Sequence, residues 1–322
     1  MSGIKIVTIV CWIITALALA GLAIWFVTGG WFGNWGDDMP FGINIGGFES
    51  LTGPFESQGT LTTDTTGINS LSINWVAGDI TLQPHDGSEI QITEFAQRDL
   101  RENERMNIRT ESGKLIIEFR ERGNSRGNMP RKNLDVLVPH ELSEKLTSLS
   151  VNTTSGLVDV NNFTASSVNI SSVSAAISIS GINSPYVDLS TTSGTVTASS
   201  IKTDTLDISS VSGATRVSDT FAAAVKISGT SGGISISGDF DKVDVSTVSG
   251  GTVIKSITVP GSVNVSSVSG GIDLYIPDTG DITVSHSAVS GRFSSEVPAK
   301  IQNDAAYSFS TVSGNTNIHI LG

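Results

Sequence analysis

Leu206-Asp207-Ile208-Ser209-Ser210-Val211-Ser212-Gly213 is echoed nineteen residues later by Val225-Lys226-Ile227-Ser228-Gly229-Thr230-Ser231-Gly232, and this echo decides the fold. The signature continues in both directions. Ser-Gly stands at Ser155, Ser193, Ser212, Ser231, Ser249, Ser269, Ser290 and Ser313, with Ser174-Ala175 filling the one gap. Successive steps are 19, 19, 19, 19, 18, 20, 21 and 23 residues.

Alignment on that serine explains the period. Six residues before it stand Val168, Val187, Leu206, Val225, Val243, Val263, Val284 and Tyr307. Four before stand Ile170, Leu189, Ile208, Ile227, Val245, Val265, His286 and Phe309, and five after stand Ile179, Ala198, Val217, Ile236, Ile254 and Leu274. Alternate residues are apolar on both sides of each Ser-Gly, which is strand periodicity twice per repeat. The glycine between the strands can adopt positive φ and turn a corner. A two-strand unit this small cannot bury its apolar face alone, whereas stacked units share one continuous core. The expectation is an all-β, single-stack parallel β-solenoid (β-helix) with coils of about 19 residues over 150–322. Nine coils spaced about 4.8 Å apart would make a rod of roughly 40 Å. A propeller blade needs about 40 residues, so this period excludes one.

Three residues before each anchor stand Ser171, Ser190, Ser209, Ser228, Ser246, Ser266, Ser287 and Ser310. No His or Lys recurs at matching spacing, and a serine nucleophile needs an adjacent base. The column is therefore expected to be structural, with hydroxyls bonding along the ladder or to corner backbone. Five residues before the anchors stand Asn169, Asp188, Asp207, Lys226, Asp244, Asn264 and Ser285, an outward column with partial charge pairing and a candidate cation or sugar face. The chain finishes on Asn317-Ile318-His319-Ile320, still alternating and without a capping segment. That strand is expected to be an open edge, where self-association can occur.

Residues 68–149 are expected to form irregular β coils that begin the solenoid, with strands at Leu71–Ile73, Ile80–Leu82, Ile90–Ile92, Leu115–Ile117 and Leu134–Val138. Ten of the 19 basic residues lie between Arg98 and Lys132, interleaved with Asp99, Glu102, Glu104, Glu111, Glu118 and Glu121. Such interleaving suggests a self-neutralising hairpin or loop, with a patch for an anionic ligand as the alternative.

The 322 residues carry a net charge of -12 and only 16% charged side chains, which excludes a nucleic-acid partner. No charge occurs between Lys5 and Asp37, and the 22 mostly apolar residues Ile6 to Val27 would span about 33 Å as a helix. The expected order is a short cytoplasmic N-terminus (1–5), one transmembrane α-helix (6–28), a Gly/Thr-rich linker (29–67) and then the β portion. Lys5 before the helix and Asp37 and Asp38 after it place the bulk outside the cell membrane as a single-pass protein. The lone cysteine, Cys11, lies in the helix, so no disulfide framework is expected.

From about Ile68 to Gly322 the chain resembles the bacterial putative-adhesin family, a domain of unknown function built of β-strand repeats. The marks are Val138-Pro139 ending a strand, the approach Leu146 to Val151, and the repeated Val-Ser-Gly-x-Ile units. The resemblance implies a β-solenoid at the cell surface, and association of some relatives with envelope-stress systems implies a signalling alternative.

The histidines His85, His140, His286 and His319 lie far apart and make no metal-ligand spacing, and no phosphate-binding or dinucleotide fingerprint occurs. No catalytic, cofactor-binding or metal-binding residue is expected, and no cofactor. The expected function is a surface solenoid binding an envelope component, a polymer or another copy of itself. The alternative is an accessory to envelope-stress signalling, and a carbohydrate-active enzyme is a distant third.

Overall fold

The computed structural model describes residue 49 and residues 52–121, 129–303 and 305–321. The segments expected over 1–5 and 6–28 lie outside the described residues. Among the described residues no helix is long and apolar enough to cross a membrane.

Stacking places like residues on like. Strands Ser148–Thr153, Ser167–Ser172, Tyr186–Thr191 and Lys202–Ser212 pair in parallel, with Leu149, Val168, Val187 and Leu206 side by side. The ladder continues through Val225, Val243 and Val263. A second ladder carries Val158, Ile177, Val196, Thr215, Ile234, Thr252 and Ile272. Both inner columns are fully buried through most of the stack. Burying one such side chain contributes about 1.5–3 kcal/mol, but only with a coil above and below to cover it.

The period also hides a third side. Thr164, Asn183, Lys202 and Phe221 pair from coil to coil between the end of one long strand and the start of the next. The sequence suggests two strands per repeat; the structure has two long ladders and one short one. Phe163, Ile182, Ile201 and Phe240 fill the core from this third side.

The Ser-Gly corner behaves as expected, for two physical reasons. Gly156, Gly232, Gly250 and Gly314 have φ between 122° and 154°. At Gly194 and Gly213 the constraint is close approach: a Cβ would lie 1.8 Å from the Ala175 carbonyl oxygen and 1.9 Å from that of Gly194. The hydroxyl column that braces this corner is not the one expected. It lies two residues before the anchor and is buried at Thr153, Ser172, Thr191, Ser210, Thr247, Ser267 and Thr311, of which Ser172, Thr191 and Ser210 bond the corner backbone. Ser172 Oγ accepts from Ala175 N at 2.6 Å, and Thr191 Oγ1 accepts from Gly194 N at 3.0 Å.

Chain order and stacking order part company at both ends. Strands Tyr307–Ser313 and Thr316–Ile320 do not finish the stack. They insert between the coil of Ser262–Ser269 and Ile272–Ile276 and the coil of Ile282–Ser290 and Phe293–Ser295. The open edge expected at Asn317–Ile320 is therefore an inner strand, paired on both sides as far as Ile318, with Ile320 N donating to Glu296 Oε2 at 3.0 Å. The distal coil is 282–295, and residues 297–302 fold over part of it, with Val297 buried and strand Ala299–Ile301 pairing Ile282–Val284. A capping segment exists after all.

At the proximal end, Lys114–Glu118 and Lys132–Pro139 form a coil stacked outside the earlier one of Ser70–Asn74 and Ile80–His85. Two antiparallel additions then cover that coil: Asn107–Glu111 beside Lys114–Glu118, and Glu89–Ala96 beside Lys132–Pro139. Strand Glu56–Asp64 pairs antiparallel with Glu89–Ala96, so part of the span expected as linker is sheet. One short helix, α1 (His140–Ser143), leads from this cap back into the stack.

Candidate functional site

The repeat presents the long ladder's outer face as a set of straight columns. The serines three before the anchor fall in register, Ser171 beside Ser190 beside Ser209, and onward through Ser228, Ser246 and Ser266. The coil inversion then places Ser310 before Ser287. All are half-buried side chains on the solvent face. Ser190 Oγ donates to Ser171 Oγ at 3.0 Å. Among the described residues, Ser209, Ser228, Ser246 and Ser266 make no side-chain hydrogen bond within the chain. Bonding along the ladder, one of the two roles expected for the column, is realised between Ser171 and Ser190.

The neighbouring column runs Asn169, Asp188, Asp207, Lys226, Asp244, Asn264, Ser308 and Ser285 in space. Lys226 Nζ lies 3.8 Å from Asp207 Oδ2, and Asn264 Nδ2 donates to Asp244 Oδ1 at 3.4 Å. Tyr186 donates its hydroxyl to Asp188 Oδ2 at 3.1 Å. Burial, reinforced by the adjacent Asp207, pushes the Asp188 carboxyl up; burial does the same to Asp207. This arrangement offers carboxylates, amides and hydroxyls at one coil spacing, about 4.8 Å. That chemistry suits hydroxyl-rich chains and polar polymers.

The third side carries an open groove of about 390 Å³ around Lys202, Asp204, Phe221, Asp239 and Asp241. Phe221 is 55% exposed there. The sequence analysis passed over Phe221 because the third side has no alternating pattern to mark it.

Part of the basic cluster is paired internally, while Arg101 and Arg131 are exposed. Arg98 binds Glu49 and Glu104, each at 2.8 Å. Arg109 binds Glu111 at 2.7 Å and Glu118 more closely still. Arg98 holds the Glu104 carboxyl down at about 2. Arg122 and Arg126 lie outside the described residues. The histidines stay apart, and among the described residues no group of three His, Cys, Asp or Glu side chains could hold a metal ion.

These features define a class: a parallel β-solenoid with polar columns repeated along its outer faces. The chain belongs to the Toastrack DUF4097 family, whose model matches residues 68–321. This agrees with the family resemblance drawn from the Val-Ser-Gly-x-Ile units. Among solved structures, a putative adhesin from Parabacteroides distasonis is similar at 12% identity, with 82% of this chain and 97% of that chain covered and a TM-score of 0.42. A putative adhesin from Bacteroides fragilis is similar at 12% identity, with coverages of 80% and 95% and a TM-score of 0.41. A putative lipid binding protein, also from Parabacteroides distasonis, gives 13% identity, coverages of 80% and 96% and a TM-score of 0.39. No protein of curated function matches the sequence.

Proposed function

We propose that this protein is a membrane-anchored surface solenoid that holds an envelope polymer along the outer face of its long ladder. The observation that carries the reading is the serine column: an unbroken row of outward hydroxyls, four successive members of which form no internal hydrogen bond. A hydroxyl array at constant spacing matches a ligand that itself repeats, and several weak contacts on one rigid face add through effective concentration. The reading involves no reaction. The apolar run Ile6 to Val27 supplies the anchor, and the charge pattern around it supports export of the rest.

The test is retention of purified envelope polysaccharide by the full-length chain, compared with a triple variant Ser209→Asp, Ser228→Asp, Ser246→Asp. Stacked aspartates repel one another, so a second triple variant, Ser209→Ala, Ser228→Ala, Ser246→Ala, adds no charge and is tested alongside, with its unfolding midpoint compared with the native chain. Retention by the native chain and at least a tenfold loss in each variant are expected. Equal retention by the native chain and the alanine variant, or no retention by any, overturns the proposal.

A further inference from the structure

The two ends of the stack are protected very differently. A sheet edge offers unpaired N–H and C=O groups to any extended chain, and proteins guard such edges with charges, bulges or covering segments. The proximal coil is covered by two antiparallel additions studded with ion pairs. Its outermost strand, Glu56–Asp64, carries acidic residues at both termini and a register shift between Ser57 and Thr60.

The distal coil is guarded more sparsely: one short strand covers part of it, and Arg292 is the one charged side chain between its two strands. Strand Ala299–Ile301 covers Ile282–Val284 only. Among the described residues, nothing pairs with the far side of Ser285–Ser290 or of Phe293–Ser295. The run Val284 to Gly291 contains no Asp, Glu, Lys or Arg. Val289 is 56% exposed on this edge, and Ile301, beside Val284 on the cap, 61%. Two acidic groups nearby are satisfied locally, Asp281 by Lys300 at 2.5 Å and Glu296 with His319 at 3.2 Å, while Arg292 is exposed at the corner. Residues 281–303 hold Asp281 and Glu296 against Arg292 and Lys300, so their net charge is zero in a chain of net -12.

We infer that this distal edge pairs with the same edge of a second copy, joining two rods tip to tip. The charge distribution selects the occupant. Two copies repel each other along their acidic flanks, and the tip is a neutral surface where that repulsion is least. An antiparallel pairing about a two-fold axis sets the neutral run Val284 to Gly291 against itself, so no like charges face one another. Val289 and Ile301 supply exposed apolar area beside the paired backbones. The inference deepens the surface reading above by naming a partner, and it takes from that reading only the membrane anchor.

The experiment uses the full-length chain in phosphatidylcholine vesicles, with no polymer present. Tip pairing joins chains on different vesicles, so the native chain should cluster them and raise turbidity. Val289→Lys and Ser287→Lys, each placing a charge on the edge, should abolish clustering. Leu61→Lys, on the exposed proximal strand, should leave it unchanged. Vesicles that fail to cluster, or that cluster equally with the two edge variants, overturn the inference. Flotation reports the anchor separately. For a chain that does not float, mass by light scattering decides: a native dimer made monomeric by Val289→Lys supports tip pairing, and a native monomer overturns it. Polysaccharide retention by Val289→Lys should match the native chain, which keeps failure here distinct from failure of the polymer reading.

Discussion

Lys132 Nζ lies 2.5 Å from Glu94 Oε1, with both side chains sealed from solvent. The ammonium also donates to the Glu104 carbonyl oxygen at 2.6 Å and to that of Phe119. It sits 4.1 Å from the Phe119 ring centroid and 5.1 Å from that of Trp75. Trp75 Nε1 in turn donates to the Lys132 carbonyl oxygen at 2.6 Å. One cation thus ties the first coil, the cap and the loop between them. Removing one partner of a buried pair leaves the other charge uncompensated, at a cost of about 3–5 kcal/mol. Lys132→Met should lower the urea midpoint sharply, and adding Glu94→Gln should recover much of the loss.

The same lysine carries a pH signature. Burial pushes its ammonium down to about 8, with Glu94 opposing only in part. Between about pH 8 and the ordinary lysine value of about 10.4, the unfolded chain binds the proton that the folded chain has released. Its contribution to stability therefore rises with pH across that window. Unfolding midpoints measured at both ends of it should show a rise in the native chain that Lys132→Met lacks.

At the corners, the close approach of successive coils makes glycine a requirement at particular sites. Gly194→Ala would drive Cβ to 1.8 Å from the Ala175 carbonyl oxygen, so the coils must separate. At Gly251 the nearest atom to a new Cβ is 3.9 Å away. Thermal unfolding should show Gly194→Ala destabilised by roughly 2 kcal/mol or more, an overpacking cost, and Gly251→Ala within about 0.5 kcal/mol of native.

The inward hydroxyls divide into two kinds. Thr191 accepts from Gly194 N, whereas Thr247 Oγ1 is buried with no hydrogen-bond partner. Thr191→Val should cost about 1–3 kcal/mol, because it strands a buried N–H. Thr247→Val, which removes an unsatisfied group at constant shape, should be neutral or stabilising in the same denaturation assay.

His286 occupies an inward position that is aliphatic in most other coils, pairing with Phe309, and its Nε2 is buried without a partner. Burial lowers its pKa, so the unfolded state takes up the proton first as pH falls. Stability from the neutral ring is present above the ordinary histidine value and is lost as pH drops below it. His286→Leu should flatten that acid-side loss in unfolding midpoints measured from pH 7 down to about pH 5.

The repeating body was legible because its register equals its period: Val168, Val187 and Leu206 are column-mates in sequence and neighbours in space. The third side was not, since Asn183 and Lys202 meet through isolated bridges too short to show alternation. Nor was the insertion of the last coil. Tyr307 satisfies the same inner column beside Val263 or beside Val284, and it touches both. Only the lengthened steps, 21 and 23 residues, hinted that the chain needed extra length to overshoot and return. The outward serine and Asx columns were visible from the start. Which hydroxyls braced the corner depended on facing, and a shift of one residue reverses facing in a strand.

A chain pulled at its two termini carries load along its length. In a stack built strictly in order, tension detaches the outermost layer, then the next, like tape lifting from a surface. Here the segment 307–320 is clasped by a layer on either side. Beyond the edge strand at the opposite end, the same is true of 70–85. Force reaching either segment must therefore slide a layer out from between two others, breaking its bonds together rather than in succession.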